Sequence, residues 1–339
     1  MKMKKRVALI YGGEGAERDI SKNSAKNLYS QIDKDKYDVL SIEILENGNW
    51  NAVTENGKYI DTYPIMLGGV SGFLLNGKIL QTDCAIPCLH GDFGEDGVVQ
   101  GALIAAHIKY VGQDVYASAI TSDKAYSKLV ANSLGIPTAN WIASDGGTDT
   151  AKAKAEASLS YPMFIKPARL GSSYGAAPVR SEEDFKSAYA YARSFDKKVL
   201  IEELIDFDYE VECALFDAGE RKISAGGRVL SGGRFYDFDS KYNARLSPCT
   251  EAESGVFPET EKIITDYTEA LADLIGIKHV SRFDFFVTRD QKVFFNEINA
   301  FPGMTATSLY PKLTEDMGFH PGEFINLIIE SVCGNDRDI

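Results

Sequence analysis

Two short alternating segments in the last third of the chain carry the side chains best suited to hold a metal ion. Arg282 and Asp284 occupy one segment, and Glu297 and Asn299 occupy the other. Because successive residues of a strand point to opposite faces, each pair shares one face of its strand. Asp, Glu and Asn supply the hard oxygen ligands that Mg²⁺ prefers, usually together with waters and nucleotide phosphates. A surface-facing polar stripe on an antiparallel sheet is the alternative interpretation.

A lysine followed by a glycine- and serine-rich loop indicates a site for a polyphosphate. Lys166 ends a predicted strand over 163–166, and the loop that follows contains Gly171, Ser172 and Ser173. Such a loop offers backbone N–H groups and hydroxyls to an anion. The order of these residues excludes a P-loop, in which the lysine follows the glycines. A plain surface hairpin is the alternative.

Two further loops follow apolar runs in the first third of the chain. Residues 12–18 contain three glycines and precede a predicted helix, whose N-terminus attracts anions. Their spacing departs from the GxGxxG dinucleotide pattern, so a structural turn is the alternative. Residues 90–101 begin with His90 and are rich in glycine and carboxylates. On spacing alone, His90 fits a ligand site at a strand end as well as a satisfied polar residue at a sheet edge.

The elements around the loops at residues 12–18 and 90–101 predict a parallel sheet. An apolar run over 7–11, a helix and a strand over 37–44 form a βαβ opening. The apolar run 84–89 then precedes the His90 loop, and residues 98–107 have the spacing of a buried helix. A first domain ending at Gly112 follows from this pattern.

The remainder of the chain divides into two units. A helical pattern covers 117–134, and a small α+β unit follows it, with strands at 163–166 and 199–205. Alternating strands at 210–216, 280–287 and 293–298 predict an antiparallel sheet. The sequence therefore predicts an α/β fold with an α+β carboxyl-terminal part, divided into domains of residues 1–112, 113–201 and 202–339.

Composition and charge exclude several classes of function. With 44% hydrophobic and 25% charged residues, the chain has the composition of a folded globular protein. The net charge of −13 argues against nucleic acid and anionic membranes as partners, because both require basic surfaces. The short basic N-terminus runs directly into a predicted strand, which fits neither a signal peptide nor a membrane span. We expect a cytoplasmic protein that acts on small molecules.

Taken together, these segments resemble the D-alanine:D-alanine ligase family of the ATP-grasp superfamily, from Lys5 to Glu330. The motifs that carry this resemblance are Tyr11-Gly12-Gly13, Ala16-Glu17-Arg18, His90-Gly91, Gly94-Glu95-Asp96-Gly97, Gln100-Gly101, Asp123-Lys124, Lys166-Pro167, Gly171-Ser172-Ser173, Glu202-Glu203, Phe235-Tyr236-Asp237, Lys241-Tyr242, Arg282-Phe283-Asp284, Asn296-Glu297-Ile298-Asn299, Pro302-Gly303-Met304-Thr305 and Ser308-Leu309. The resemblance implies a three-domain ATP-grasp architecture. ATP would lie between the central and carboxyl-terminal domains, and the amino acids where the amino-terminal domain meets them.

The resemblance also implies where the nucleotide binds. Lys124 and Lys166 would touch the phosphates, Glu202 would hold the adenine, and Glu210 would bind the ribose hydroxyls. One extra residue precedes Glu210 relative to the common pattern of the family. The implied ATP-binding residues are Lys124, Lys166, Ser172, Glu202, Glu203, Ile205, Glu210, Phe235, Lys241 and Phe286.

By the same resemblance, the activity is ligation of two D-alanines to D-alanyl-D-alanine through an acylphosphate, for peptidoglycan precursor synthesis. Two Mg²⁺ ions, with Mn²⁺ as an alternative, would neutralise charge during phosphoryl transfer and would be held by Asp284, Glu297 and Asn299. The implied catalytic residues are Glu17, Ser172, Tyr242 and Arg282. The implied amino-acid-binding residues are Glu17, His90, Arg282, Gly303, Ser308 and Leu309.

The identity of the second substrate stays open between related acceptors. Tyr242 and Leu309 are of the D-alanine type, whereas relatives that use D-serine or D-lactate tend to alter these positions. Ala306 and Thr307 replace a Ser-His pair often found in the family, and Phe301 stands where smaller residues occur. The alternatives are a D-alanine:D-serine or D-alanine:D-lactate ligase, another ATP-grasp amino-acid ligase, and a nucleotide-binding homologue without turnover. A nicotinamide-dependent Rossmann enzyme is a further alternative from another class. Because members of the family commonly form homodimers, the resemblance predicts a homodimer.

Overall fold

The computed structural model describes residues 4–229 and 256–334. The elements of its first part are β1 (Lys5–Gly12), α1 (Arg18–Gln31), β2 (Tyr37–Ile44), β3 (Trp50–Val53), β4 (Tyr59–Asp61), β5 (Pro64–Leu67), β6 (Val70–Leu75), β7 (Lys78–Gln81), β8 (Cys84–Pro87) and α2 (Val98–Ala105). The middle part contains α3 (Val115–Ser122), α4 (Lys124–Ser133), β9 (Trp141–Ser144), α5 (Thr148–Glu156), β10 (Met163–Pro167), β11 (Ala177–Val179), α6 (Glu182–Arg193) and β12 (Val199–Glu203). The last part contains β13 (Tyr209–Asp217), β14 (Arg221–Ile223), β15 (Gly227–Val229), α7 (Pro258–Ile275), β16 (His279–Val287), β17 (Val293–Asn299), α8 (Leu309–Asp316) and α9 (Glu323–Gly334).

The predicted parallel opening is confirmed in the first part of the chain. β1 pairs in parallel with β2 on one side and with β8 on the other, and β3 and β4 extend the sheet in antiparallel fashion. Val7 and Leu9 pack with Leu28 of α1, whereas Ala8 packs with Leu103 of α2 on the opposite face. Burial on both faces explains the continuous apolar run of β1. The strand thereby places the loop that follows it beside the end of β8.

A three-stranded meander of β5, β6 and β7 has no counterpart in the sequence-based prediction. Its strands are short, and most of their residues are only partly buried, so they carry no clean alternation. Phe73 of β6 is fully buried and stacks on Trp50, with ring centroids 6.3 Å apart. The meander therefore packs on the core of the first part through Phe73 and Leu75 and leaves its hairpin tip exposed.

The helical pattern predicted over 117–134 is confirmed, but it is interrupted at Asp123 and forms two helices. Asp123 has extended backbone angles, and its carboxylate accepts hydrogen bonds from the N–H groups of Ala125 and Tyr126. An N-cap of this kind ends one helix and starts the next. The consequence is that α4 begins at Lys124, directly beside the loop after β10.

Two antiparallel sheets make up the middle and last parts. The middle sheet has the strand order β11-β10-β12-β9 and is covered by α5 and α6. The last sheet has the order β14-β13-β16-β17, with β15 also paired to β13. Leu271 and Ile264 of α7 pack against Phe283 and Phe285 of β16. The antiparallel sheet predicted for the last third is thus confirmed.

A β-bulge in β17 changes which side chains face the site. Asp284 pairs with Glu297, but Phe285 pairs with Phe295, so Asn296 is the extra residue. A bulge turns its inserted residue out of the regular alternation. Asn296 and Glu297 therefore both line the same cavity, although they are neighbours in the chain.

The first and last parts of the chain share one apolar core. Leu28 of α1 belongs to the same buried cluster as Tyr310 of α8 and Ile325 of α9. The division at residues 112 and 201 stays a prediction. None of the helices in the described parts of the chain combines the length and hydrophobicity of a bilayer-crossing segment.

Gly12 is the last residue of β1 and precedes the loop of residues 13–17. Its φ is +96°, and a Cβ there would lie 2.3 Å from the carbonyl oxygen of Ile44. We expect Gly12→Ala to lower the thermal midpoint by roughly 5 °C or more, because it adds both backbone strain and a clash. Gly15→Ala is the matched control, since a Cβ at Gly15 meets nothing within 4 Å. Equal midpoints for the two variants would contradict this assignment.

Candidate functional site

One cavity lies between the middle sheet and the last sheet, at the place predicted for ATP. Phe207 and Phe286 stack on its wall with ring centroids 4.7 Å apart, which offers an apolar surface to a planar ring. Phe235 and Lys241 lie outside the described residues. The other predicted ATP-binding residues all line this cavity, namely Lys124, Lys166, Ser172, Glu202, Glu203, Ile205, Glu210 and Phe286.

A buried carboxylate bridges two lysines beside this cavity. Glu202 Oε2 lies 2.8 Å from Lys166 Nζ, and Glu202 Oε1 lies 2.7 Å from Lys128 Nζ. Lys166 also donates to Asn296 Oδ1 at 3.0 Å. Burial favours the neutral acid, but the two ammonium groups outweigh it and hold the pKa of Glu202 below its ordinary value. Glu202 is therefore ionised in the folded protein.

A second ion pair joins the same cavity to β17. Lys124 Nζ lies 3.1 Å from Glu297 Oε2 and donates to the carbonyl oxygen of Leu170 at 2.8 Å. Burial disfavours the charged amine, but the Glu297 carboxylate outweighs it and raises the pKa of Lys124. The start of α4 thus brings a permanent positive charge to the loop after β10.

The strand pairing brings the predicted metal-ligating oxygens together. Asp284 faces Glu297 across the β16–β17 pair, and Asn299 faces Arg282. Both Asp284 oxygens accept hydrogen bonds from Arg282 at 2.7 Å, and the Asn299 amide donates to Asp284 at 3.2 Å. Two carboxylates and an amide oxygen on one face fit the hard-oxygen preference of Mg²⁺.

The donor set is nevertheless incomplete as a closed protein cage. Within residues 4–229 and 256–334, no group of three or more His, Cys, Asp or Glu side chains is arranged to hold a metal ion. A Mg²⁺ ion at Asp284 and Glu297 would take its remaining ligands from water and nucleotide phosphates, as this ion commonly does.

A second cavity lies where the first sheet meets the last one, at the place predicted for the amino acids. Tyr242 lies outside the described residues. The other predicted catalytic and amino-acid-binding residues all line this cavity, namely Glu17, His90, Ser172, Arg282, Gly303, Ser308 and Leu309. The two cavities share Gly171, Ser172 and Glu297, so they meet at the loop after β10 and the end of β17.

Glu17 is held at this junction by close backbone approach on two sides. Ser172 donates a hydrogen bond to Glu17 Oε1. A Cβ at Gly91 would lie 2.7 Å from Glu17 Oε2, and a Cβ at Gly171 would lie 3.1 Å from Glu17 Oε1. Side chains at either glycine would displace the carboxylate. The lack of a side chain at Gly91 and at Gly171 therefore allows the backbone of both loops to lie close to Glu17.

Two buried titratable groups flank this carboxylate and have displaced pKa values. Burial lowers the pKa of His90 to about 4, opposed by a backbone hydrogen bond to Phe301. Burial and then the nearby Glu17 raise the pKa of Glu95 to about 7. Glu95 accepts hydrogen bonds from the N–H groups of Gly91 at 2.9 Å and Phe301 at 3.2 Å. His90 is therefore neutral at pH 7.

Four residues in or beside these cavities had no role in the sequence-based prediction. Glu95 ties the His90 loop to the loop after β17, and Lys128 is the second partner of Glu202. Asn296 faces the cavity because of the bulge. Thr305 holds the Ser308 hydroxyl, with the two oxygens 2.7 Å apart. The sequence marked Glu95 and Thr305 only as motif members, and the helical spacing of Lys128 from Lys124 was the available indication.

The pKa of His90 predicts a pH dependence of stability. A group whose pKa falls from 6.5 unfolded to about 4 folded contributes stability above pH 6.5, and this is lost as pH falls toward 4. We expect about 2 kcal/mol of this contribution to be lost between pH 7 and pH 5. His90→Gln should therefore lose less thermal stability than the unmodified protein over this range. Parallel pH profiles of the thermal midpoint would refute the assignment.

Comparisons with known proteins match most of the chain to one family. The family model "D-ala D-ala ligase N-terminus" matches residues 6–113, and "D-ala D-ala ligase C-terminus" matches residues 130–330. The D-alanine–D-alanine ligase of Acetivibrio thermocellus is 33% identical over 360 residues, covering 96% of this chain and 95% of that protein. That of Oceanobacillus iheyensis is 34% identical over 358 residues, covering 99% and 97% respectively.

Solved structures show the same fold. The VanG D-Ala:D-Ser ligase from Enterococcus faecalis has a TM-score of 0.87 and 28% identity, covering 97% of this chain and all of that one. The D-alanyl-alanine synthetase A from Vibrio cholerae has a TM-score of 0.87 and 29% identity, covering 99% of this chain and all of that one. The fold is therefore the ATP-grasp fold of the D-alanine ligases. Together with the two family models, these relatives show that the chain belongs to the D-alanine–D-alanine ligase family.

Proposed function

We propose that this chain is an ATP-dependent, ADP-forming ligase that joins two D-alanines to D-alanyl-D-alanine for peptidoglycan precursor synthesis. The observation that carries the proposal is the junction of the two cavities at Gly171, Ser172 and Glu297. A carboxylate in the amino-acid cavity would lie beside the terminal phosphate of a nucleotide in the other. Phosphoryl transfer is mostly positioning and charge stabilisation, which this junction supplies.

In the proposed first step, a carboxylate oxygen of the first D-alanine attacks the γ-phosphorus of ATP, and ADP leaves. Lys124 and Lys166 hold the phosphates, Glu202 and the backbone of Glu203 and Ile205 hold the adenine, and Glu210 takes the ribose. The lysine charges offset negative charge that accumulates on the transferring group. The product of this step is an acylphosphate.

We propose Asp284, Glu297 and Asn299 as the residues that hold divalent metal, with Mg²⁺ the preferred ion, Mn²⁺ an alternative, and two ions in the full site. When bound there, such ions would neutralise negative charge on the phosphates during transfer. Arg282 and Lys124 pair with these carboxylates in the protein itself. A buried carboxylate requires such a partner whenever another cation is not beside it.

In the proposed second step, the amine of the second D-alanine attacks the acyl carbon, and phosphate leaves with the bridging oxygen. Arg282 and the N–H of Gly303 stabilise the oxyanion, and Glu17 pairs with the ammonium of the first D-alanine. Ser308 binds the second carboxylate. We further propose Ser172 and Tyr242 as catalytic residues. Phe235 and Lys241 are proposed to bind ATP.

D-alanine is the proposed acceptor because the acceptor side of the cavity is bounded by an apolar side chain. Leu309 is 4% exposed and lines this cavity beside Ser308. A pocket of this kind discriminates between a methyl and a hydroxymethyl group by only about 1–3 kcal/mol. D-serine and D-lactate are therefore the acceptors to compare directly with D-alanine.

We also propose a cytoplasmic homodimer with domains of residues 1–112, 113–201 and 202–339. Because ATP is a cytoplasmic substrate, the reaction belongs in that compartment. Met66, Leu67 and Val70 are exposed at the tip of the meander and supply apolar area for a contact. Each of the proposed parts has a sheet of its own, although β12 of the middle sheet runs past residue 201 to Glu203.

The substrate assignment is tested by phosphate release with ATP and Mg²⁺. D-alanine alone should support release, and mass spectrometry should identify D-alanyl-D-alanine. Release only with D-alanine plus D-serine or D-lactate would keep the ligase and change the acceptor. Release with L-amino acids alone would overturn the assignment of D-alanine.

Glu297→Gln tests the metal assignment. We expect turnover to fall at least ~100-fold, because the variant loses a carboxylate proposed to hold the metal ion whose charge would stabilise the transition state. Asp290→Asn is the matched control, since Asp290 is an exposed carboxylate on the same β16–β17 hairpin and should leave turnover unchanged. Near-normal turnover of Glu297→Gln would exclude Glu297 as a metal ligand.

A further inference from the structure

Lys128 is a deeply buried cation whose position no nucleotide contact explains. Its side chain is 1% exposed, yet it does not line the nucleotide cavity, which Lys124 and Lys166 do line. Lys128 follows Lys124 by one helical turn of α4, so both lysines lie on one face of the helix. Burying a charge is strongly unfavourable unless it is paired. The burial of Lys128 therefore indicates a role that depends on its partner, Glu202.

Glu202 offers one oxygen to each of two lysines. Lys128 lies 2.7 Å from Oε1, and Lys166 lies 2.8 Å from Oε2. Only Lys166 of the two reaches the cavity, where it also donates to Asn296. The carboxylate is thus shared between a lysine that can meet a phosphate and a lysine that cannot.

We propose that Lys128 is a positioning residue that balances the charge of Glu202, so that Lys166 is free to move onto the phosphates of ATP. This inference rests on the proposed nucleotide-binding role of the cavity. When Lys166 turns toward a phosphate, its attraction for Glu202 weakens. Without Lys128, a buried carboxylate would then lack a cation, and that cost would oppose nucleotide binding. With Lys128 in place, the remaining pair is neutral.

The pKa values of Lys128 and Glu202 reflect their attraction for each other inside the protein. Burial lowers the pKa of Lys128, while the attraction of Glu202 opposes the shift. The pKa of Glu202 lies below its ordinary value because its two lysines outweigh the effect of burial. A single lysine would leave that carboxylate dependent on the group that must also serve the nucleotide.

Lys128→Met tests the proposal, because it removes the charge and keeps a long apolar side chain. We expect the Kd of a non-hydrolysable ATP analogue, titrated with Mg²⁺ present, to rise at least about tenfold. The KM for D-alanine should stay within about twofold, since Lys128 does not line the amino-acid cavity. Lys262→Met is the matched control, because Lys262 is an exposed lysine in a surface ion pair with Asp266. An unchanged Kd in Lys128→Met would overturn the proposal.

A double variant separates charge balance from a merely structural role. In the Glu202→Gln background the carboxylate is gone, so adding Lys128→Met should change the Kd of the analogue by less than about twofold. If the second substitution still weakens binding tenfold, Lys128 acts through something other than Glu202, and the proposal is wrong. The comparison remains decisive if Lys128→Met alone does not fold, because the double variant removes both partners of the pair. Thermal unfolding of each variant verifies the fold.

These titrations do not require turnover. A protein that binds the analogue but releases no phosphate with D-alanine would refute the proposed ligase activity and still test Lys128. Conversely, an active D-alanine ligase in which Lys128→Met binds the analogue normally would refute only the role of Lys128.

Discussion

Carboxylates buried between two sheets must be balanced by cations, and this constraint organises the candidate site. Glu202 and Glu297 come from strands of different sheets, and each is paired with a buried lysine. Lys124 and Lys166 both line the cavity, and they are the lysines that we propose to hold the phosphates of ATP. A nucleotide that binds there would bring its own negative charge to these paired lysines. Charge balance and ligand binding are thus properties of one network.

The ends of strands and the N-termini of helices position the residues of this network. β10 ends beside Lys166, and the N-cap at Asp123 starts α4 at Lys124. On the amino-acid side, parallel β1 and β8 end in loops that bring Glu17 and His90 to one cavity. Ligand sites commonly form at the carboxyl ends of parallel strands, because the loops there converge. The shared core of α1, α8 and α9 supports the junction of these parts.

The spacing of apolar residues and the turn residues between segments predicted the parallel opening and the last antiparallel sheet. These predictions succeeded because the apolar spacing extends over long segments there. The meander of β5 to β7 could not be predicted in this way, since strands of four to six residues carry too little pattern. The break at Asp123 was not predicted, because the apolar spacing continues across it. Asn296 depends on a bulge, and the Lys128–Glu202 pair joins residues distant in sequence. Predicted site residues came mainly from the family resemblance, which carries three-dimensional information that spacing does not.

The most direct test of the reaction follows an oxygen atom. D-alanine labelled with ¹⁸O in its carboxylate is turned over with ATP and Mg²⁺, and the released phosphate is analysed by mass spectrometry. If the carboxylate attacks the γ-phosphorus and the acylphosphate is then cleaved by the second amine, each phosphate should carry one ¹⁸O atom. Phosphate without ¹⁸O, released together with dipeptide, would contradict an acylphosphate and with it the proposed alignment of the two cavities.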